Sequence, residues 1–305
     1  MVSPVNTLMG VREWLMLLTL SLLWGGSFFF IGVAVLELQP LTIVALRLGI
    51  AASVLWAIVF FMKLFPVVDL KLLGAFLCMG ILNNVIPFTL IVWGQTQIAS
   101  GVASILNAST PIFTVVVAGV VLSDERATLL KLLGVIIGFL GVVMVLGIPN
   151  ANDENSFLAQ LAIIAAALSY AFAGVYGRRF KAMSIHPIIT AAGQVTASFF
   201  VILPICMLVE TGAEFDRISA EVWLAIAGLA VFSTAIAYVL YFRILESSGA
   251  TNLLLVTLLI PVSAIFLGWL FLDETLAMEH FFGMGLIALG LSVVDGRIWM
   301  RKTNA

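Results

Sequence analysis

Charged residues are scarce in this chain: Asp, Glu, Lys and Arg make up 10% of its 305 residues, whereas 63% are hydrophobic. A water-soluble domain carries about 25% charged residues, so this composition excludes one. There are only two cysteines, and Cys78 and Cys206 both lie inside apolar stretches. They are interpreted as small buried residues, not as a disulfide or a metal pair. Lipid is therefore expected to surround most of the chain.

Apolar runs of membrane-spanning length recur along the whole sequence. A bilayer core about 30 Å thick needs about 20 apolar residues per helix. We place ten spans, at residues 13–36, 41–63, 70–93, 100–122, 128–148, 157–178, 187–209, 221–244, 249–272 and 276–298. The first run is too long for the core of a signal peptide. The sequence thus predicts an all-α integral membrane protein with ten transmembrane helices.

Positive charge is nearly missing from every second connection. With the N-terminus inside, the inner connections hold twelve Lys and Arg residues and the outer ones hold only Arg217. Cytoplasmic loops of membrane proteins carry an excess of Lys and Arg. Both termini are therefore predicted to be cytoplasmic, in a multi-pass protein of the inner membrane.

The second half of the chain repeats the first at an offset of about 150 residues. An intramembrane proline and an acid pair recur in the same order: Pro111 with Pro261, and Asp124-Glu125 with Asp273-Glu274. Because five is odd, successive five-helix units enter the membrane from opposite sides. We predict two inverted repeats, residues 1–150 and 151–305, with a site near the midplane between them.

Several short motifs occur in a family-specific order: Leu23-Trp24-Gly25-Gly26-Ser27, the stretch from Pro40 to Arg47, and the stretch from Ala103 to Pro111. With the acidic ends of the fourth and ninth spans, they make the chain similar to the EamA branch of the drug/metabolite transporter superfamily. The resemblance implies export of metabolites, commonly amino acids, from the cytoplasm. The second half departs from the pattern, because Arg47 is matched near Gln194 and the Trp-Gly-Gly segment by residues 170–174.

By analogy with repeat transporters, alternating access through a central cavity is the expected mechanism. Spans 1, 3, 4, 6, 8 and 9 are expected to line the cavity, and spans 5 and 10 to lie outside it. Close packing of these two outer spans is expected from their glycines, at positions 134, 138, 141, 283, 285 and 290.

Three polar residues stand one helical turn before an intramembrane proline: Asn83 before Pro87, Asn107 before Pro111, and Thr257 before Pro261. Proline cannot donate a hydrogen bond to the carbonyl four residues back. In lipid that carbonyl must be satisfied by protein or by water in a cavity. Each position is either an opening that contacts substrate or a bend whose carbonyl is recapped by a side chain, and the prolines are predicted hinges.

Arg47 is the only Lys or Arg residue that lies inside a predicted span and away from its ends. A charge in a membrane helix usually faces the protein interior or a water-filled cavity. Its planar guanidinium could bind a substrate carboxylate. Alternatively, it could extend towards the outer end to cap carbonyls or meet an acid such as Glu37.

The remaining candidates are polar or aromatic residues at interior depth that share helix faces by spacing. Together with the residues above, the predicted substrate-binding set is Trp24, Ser27, Phe28, Arg47, Asn83, Asn107, Tyr170, Gln194 and Tyr238. This largely neutral, aromatic-rich inventory suits a zwitterionic amino acid with a large neutral or aromatic side chain. A phosphorylated solute would need several interior Lys or Arg residues, and a cationic drug would need a carboxylate or an aromatic cage.

No Asp or Glu lies in the central third of any predicted span. Proton-coupled exporters generally use such a carboxylate as a relay, so facilitated export is favoured. Proton-coupled antiport of a drug or another metabolite, through a terminal acid, His186 or His280, stays open.

Two other functional classes fit the sequence less well. A membrane-embedded lipid-modifying enzyme would need a cluster of His, Asp or Glu, and His186 and His280 stand alone on predicted loops. A channel or receptor would not need inverted halves. The chain is therefore predicted to be a transporter and not an enzyme. It is expected to be monomeric, to bind a small-molecule substrate and to contact membrane lipid. No metal, cofactor or nucleic acid is expected.

Overall fold

The computed structural model describes residues 10–64, 67, 69–121, 129–146, 154–211, 215–253 and 256–295. These residues form helices and short turns, with no β-strand among them. Within these ranges the helices, in chain order, are α1 (Val11–Ala34), α2 (Pro40–Phe61), α3 (Leu70–Gly94), α4 (Ser100–Val121), α5 (Leu129–Leu146), α6 (Glu154–Ala182), α7 (Pro187–Val209), α8 (220–253), α9 (Val256–Phe271) and α10 (Met278–Asp295). A 3₁₀ turn at Phe215–Arg217 precedes α8.

The described helices have the length and apolarity of membrane helices. Seven of them, α1 to α4 and α6 to α8, contain segments long and apolar enough to cross a bilayer, and shorter apolar segments lie in α5, α9 and α10. Large apolar side chains such as Phe61, Val120 and Leu208 are exposed, each by about 80%. Such surfaces are stable in hydrocarbon and not in water, so this all-helical chain is a multi-pass membrane protein.

Most predicted spans agree with the observed helices to within a few residues, and 187–209 coincides with Pro187–Val209. The predicted start of the ninth span is wrong, because residues 249–253 belong to the end of α8. No proline interrupts 245–253, so helical hydrogen bonding continues there. The sixth helix is also longer than predicted and ends at Ala182, with Arg179 and Lys181 in its last turn, where basic residues favour the helix dipole.

Helices from the two halves of the chain pack against each other throughout the bundle. α1 packs on α9, α2 on α7, and α4 on both α6 and α9, while α5 and α10 form a separate pair. One end of the bundle, which we call the acidic end, carries Glu37, Glu210 and Glu274. The opposite end, which we call the basic end, carries Lys63, Lys71 and Lys181. There an apolar cluster that includes Leu72, Phe180 and Ile189 joins α3, α6 and α7.

Glycines allow α5 and α10 to touch through their backbones. A Cβ atom placed on Gly290 would lie 2.6 Å from the carbonyl oxygen of Gly134, and one on Gly141 would lie 2.7 Å from the carbonyl oxygen of Gly283. The expected close packing of these helices is confirmed at these positions. It is wrong for Gly285, which has no atom within 4 Å of such a Cβ.

Replacing Gly290 with Ala should destabilise the protein, because the added methyl group would overlap the backbone of α5. Overpacking of this kind costs about 1–3 kcal/mol. The midpoint of thermal unfolding in detergent should therefore fall by several degrees. Gly285→Ala is the matched control on the same helix and should leave the midpoint unchanged. Equal midpoints for the two variants would contradict the backbone contact.

Candidate substrate site

A π-helical segment in α3 presents two consecutive asparagines to neighbouring helices. The segment Ile81–Val85 ends two residues before Pro87, and the Ile86 amide donates to the carbonyl of Ile81, five residues back. The widened turn leaves the Leu82 carbonyl free to accept a 2.7 Å hydrogen bond from the Ser169 hydroxyl of α6. π-helical turns of this kind are frequent at functional sites.

The side chains of this segment form a hydrogen-bonded network with α7 and α8. The Asn83 amide donates to Gln194 Oε1 at 3.3 Å and to the Tyr238 hydroxyl at 3.0 Å. The Tyr238 hydroxyl donates to Asn84 Oδ1 at 3.1 Å. Asn84 Nδ2 donates to Ser198 Oγ at 3.0 Å, and that hydroxyl donates to the carbonyl of Gln194 at 2.6 Å. Three helices are thus joined by polar contacts in the interior.

Close approach of α3 and α7 requires a glycine one turn before the network. A Cβ atom on Gly80 would lie 2.6 Å from Ser198 Oγ and 2.7 Å from the carbonyl oxygen of Gln194. The hydrogen bonds of both asparagines to α7 therefore depend on the absence of a side chain at position 80.

Arg47 of α2 points into the bundle and is only 5% exposed. Its Nε donates to Thr234 Oγ1 of α8 at 2.9 Å, and its guanidinium carbon lies 3.6 Å from the centre of the Phe88 ring. Thr234 in turn donates to the Leu229 carbonyl, five residues back in the π-helical segment Gly228–Ile236. Neither terminal nitrogen of Arg47 donates to another side chain in the described part of the protein.

The surroundings of Arg47 are aromatic and hydroxylic. Tyr170 and Tyr238 are the ionisable groups near its guanidinium. No carboxylate among the described residues pairs with it. The predicted alternative, an Arg47 extended towards Glu37, is not the observed arrangement, because Glu37 accepts a hydrogen bond from the amide of Ser219.

An aromatic group from α1 and α8 lies next to this network. The rings of Trp24 and Tyr241 have centroids 5.6 Å apart, and Tyr241 contacts Phe242 at 5.1 Å. Phe242 also stacks on Tyr238 with centroids 6.4 Å apart. Trp24, Tyr238 and Tyr241 are all half-buried. This group presents apolar ring surface close to the polar network.

α4 is interrupted beside its intramembrane proline. Its first part ends at Asn107, its second begins at Thr110, and a turn separates them. The Asn107 carbonyl, which Pro111 cannot serve, accepts a 2.7 Å hydrogen bond from the Thr110 hydroxyl. Of the two alternatives that the sequence allows for this carbonyl, the structure shows the bend recapped by a side chain. The side-chain oxygen of Asn107 is enclosed and has no partner among the described residues.

The structure brings together most of the predicted site residues. Asn83 donates hydrogen bonds to both Gln194 and Tyr238, and Tyr170 and Tyr238 lie near Arg47. Ser27 and Phe28 are buried further along α1 towards the acidic end, where the Phe28 carbonyl accepts the Gln95 amide at 2.9 Å. Of the predicted hinges, Pro87 follows the π-helical segment, Pro111 follows the break in α4, and Pro261 lies inside α9.

Sequence reasoning missed the roles of Asn84, Phe88 and Ser169. In a regular helix, adjacent residues point about 100° apart, so spacing gave no reason to place Asn84 beside Asn83 in one network. The missed signal was the proline at 87 after two polar residues, which permits a shift in helical register. Among the described residues, no group of three or more His, Cys, Asp or Glu side chains could hold a metal ion.

A known family of proteins matches each half of this chain separately. The sequence model of the EamA-like transporter family matches residues 12–147 and again residues 157–294. The chain belongs to this family. It is also 26% identical over 284 residues to the uncharacterized transporter YoaV of Bacillus subtilis, covering 92% of this chain and 96% of that protein.

Two further relatives carry more informative names. The uncharacterized inner membrane transporter YedA of Escherichia coli is 25% identical, over 91% of this chain and 89% of that protein. The S-adenosylmethionine/S-adenosylhomocysteine transporter of Chlamydia trachomatis is 25% identical, over 90% of this chain and 86% of that protein. Family membership and these relatives make the chain a transporter of the inner membrane.

A solved crystal structure shares the fold. It superposes with a TM-score of 0.69 at 20% sequence identity, covering 95% of this chain and 99% of that chain. At this identity the likeness concerns the fold alone.

Replacing Tyr238 with Phe should destabilise the bundle modestly. The change removes the hydroxyl that links Asn83 to Asn84 and leaves Asn84 Oδ1 without its donor. Interior hydrogen bonds in membrane proteins contribute about 1 kcal/mol, which thermal unfolding in detergent can resolve. Tyr241→Phe retains the ring contacts with Trp24 and Phe242 and should leave stability unchanged. A Tyr238→Phe variant as stable as Tyr241→Phe would argue against the network.

Proposed function

We propose that this chain is a secondary transporter that exports amino acids with large neutral or aromatic side chains from the cytoplasm. The observation that carries the proposal is Arg47, a buried cation whose described neighbours are hydroxyls and aromatic rings. An uncompensated charge inside a membrane protein is costly. A substrate carboxylate would neutralise it and accept two parallel hydrogen bonds from its terminal nitrogens.

The described interior also offers contacts for the rest of an amino acid. The unpartnered side-chain oxygen of Asn107 would accept a hydrogen bond from the ammonium group. The ring surface of Trp24, Tyr241 and Phe242 would cover a large apolar or aromatic side chain. One relative is named as a transporter of S-adenosylmethionine, a compound that itself carries an α-amino carboxylate, which supports this class of substrate.

We infer a topology of ten membrane crossings in two inverted five-helix repeats, residues 1–150 and 151–305, with both termini cytoplasmic. The excess of Lys and Arg in alternate connections supports the orientation. The π-helical segments Ile81–Val85 and Gly228–Ile236, which fall at matching positions in the two halves, support the repeat. The basic end then faces the cytoplasm, and transport proceeds by alternating access in a monomer surrounded by lipid.

Topology is open to a direct test with reporter fusions. A fluorescent protein that matures only in the cytoplasm should fluoresce when fused at either terminus, and alkaline phosphatase fused there should be inactive. Phosphatase inserted after Glu37, in a connection at the acidic end, should be active. An active phosphatase at the C-terminus would contradict the orientation.

Counterflow of labelled phenylalanine into proteoliposomes loaded with unlabelled phenylalanine tests the transport proposal. Arg47→Lys should lower the rate at least about tenfold, because a lysine cannot reproduce a bidentate contact with a carboxylate. Arg243→Lys, at an exposed position on α8, is the matched control and should transport normally. Phenethylamine, which lacks the carboxylate, should not compete.

The outcomes separate the alternatives. Full counterflow by Arg47→Lys would overturn the carboxylate contact, and no counterflow by the unchanged protein would overturn the choice of amino acids. Acceleration of efflux by an imposed inward proton gradient would favour proton-coupled antiport over facilitated export.

A further inference from the structure

Three glutamates at the acidic end each bond to the N-terminal region of a helix in the other half of the chain. Glu210, which ends α7, accepts hydrogen bonds from the amides of Leu41 and Thr42 at 2.8 and 2.7 Å and from the Thr42 hydroxyl at 2.8 Å. These groups belong to the first turn of α2. Sequence reasoning missed Glu210 because a carboxylate just beyond an apolar run resembles an ordinary loop residue.

The other two contacts follow the same plan. Glu274, beyond the end of α9, accepts the amides of Ser100 and Gly101 at 2.8 and 3.1 Å and the Ser100 hydroxyl at 2.7 Å. These groups begin α4. Glu37, beyond the end of α1, accepts the amide of Ser219 at 2.7 Å, immediately before α8.

A carboxylate at a helix N-terminus satisfies amides that have no partner within the helix and lies at the positive end of the helix dipole. Charge-assisted bonds of this kind are shorter and stronger than bonds between neutral groups. Because each glutamate and the helix it caps come from opposite halves, any movement that separates the halves at the acidic end must break these bonds. Within the described residues of the basic end, the corresponding caps are local: Asp69 caps its own helix and His186 its own.

Burial along α4 changes from one end of the bundle to the other. Ser100 and Ala103, near the acidic end, are buried, whereas Asn107, Thr110 and Thr114 follow at helical spacing and are half-buried. The enclosed part of α4 is thus the part that Glu274 holds.

α6 and α8 show the same change in burial. Along α6, Ile163 and Ala166 are buried, Tyr170 is half-buried and Gly174 is exposed. Along α8, Ala230 and Thr234 are buried, whereas Tyr238 and Tyr241 are half-buried. Three helices therefore enclose the interior on the acidic side of the candidate site and leave it more accessible on the basic side.

We propose that Glu37, Glu210 and Glu274 form a gate that closes the acidic end, and that the structure records the state in which the candidate site is reached from the basic end. Export then requires the three glutamates to leave the helices they cap, and Glu210 and Glu274, with three bonds each, hold the gate most strongly. These residues position the helices and do not contact the transported solute.

Thiol accessibility tests the gate without knowledge of the solute. In a Cys78→Ala, Cys206→Ala background, Ala103→Cys reports on the closed side of α4 and Thr114→Cys on the accessible side. A small membrane-impermeant methanethiosulfonate is added to either face of membrane vesicles. In the parent, the thiol at 103 should react slowly from the acidic side, and the thiol at 114 readily from the basic side.

The double variant Glu210→Gln, Glu274→Gln should change the reaction rates of the two reporter thiols in opposite directions. Each substitution removes a charged acceptor, so the reaction at 103 from the acidic side should rise by about tenfold or more, while the reaction at 114 from the basic side falls. Glu279→Gln, an exposed glutamate at the start of α10, is the matched control and should change neither rate.

Unchanged rates at both positions in the double variant would overturn the gate. A rise at both positions would also overturn it, since that is the result of general loosening and not of a switch between two states. Thr42→Val removes only one of the bonds to Glu210 and provides a milder variant if the double substitution does not fold. It should shift the two rates in the same directions by a smaller factor. These results do not depend on whether the protein transports amino acids.

Discussion

Hydrocarbon cannot form hydrogen bonds, and this constraint governs the interior of the protein. Every polar group placed within the bundle must find a partner in the chain or in a cavity. The chain meets the requirement locally where proline or a π-helical turn disturbs a helix. Ser169 bonds to the Leu82 carbonyl, Thr110 to that of Asn107, and Thr234 to that of Leu229. Hydroxyl groups thus allow irregular helices to persist in a membrane.

Two of the side chains with unpartnered polar atoms in the described interior have complementary hydrogen-bonding chemistry. The terminal nitrogens of Arg47 are donors, and the side-chain oxygen of Asn107 is an acceptor. A molecule that carries both a carboxylate and an ammonium group complements both. Asn83, Asn84 and Tyr238 form hydrogen bonds within the protein. These bonds hold their side chains in place, so the network would form a rigid side of the proposed site.

Sequence alone predicted the positions of most helices, because apolar length is a property of a whole helix. It also predicted Asn83, Gln194 and Tyr238 as interior polar residues, since membrane helices rarely tolerate such groups without a purpose. It could not predict their pairing. The partners of Asn84 depend on a local change in helical register, and the role of Glu210 depends on which helix begins beside it in three dimensions. Neither is encoded in the spacing of residues along one helix.

The glycine-rich contact between α5 and α10 has a consequence for how the two halves can move. The backbones of Gly141 and Gly283 meet directly, as do those of Gly134 and Gly290, so no side chains intervene that could slide or rearrange. This seam joins one helix of each half and lies apart from the polar network. In the alternating-access cycle proposed above, this seam would be the fixed axis about which the two halves rock, because a direct backbone contact leaves no side chain that could change its packing.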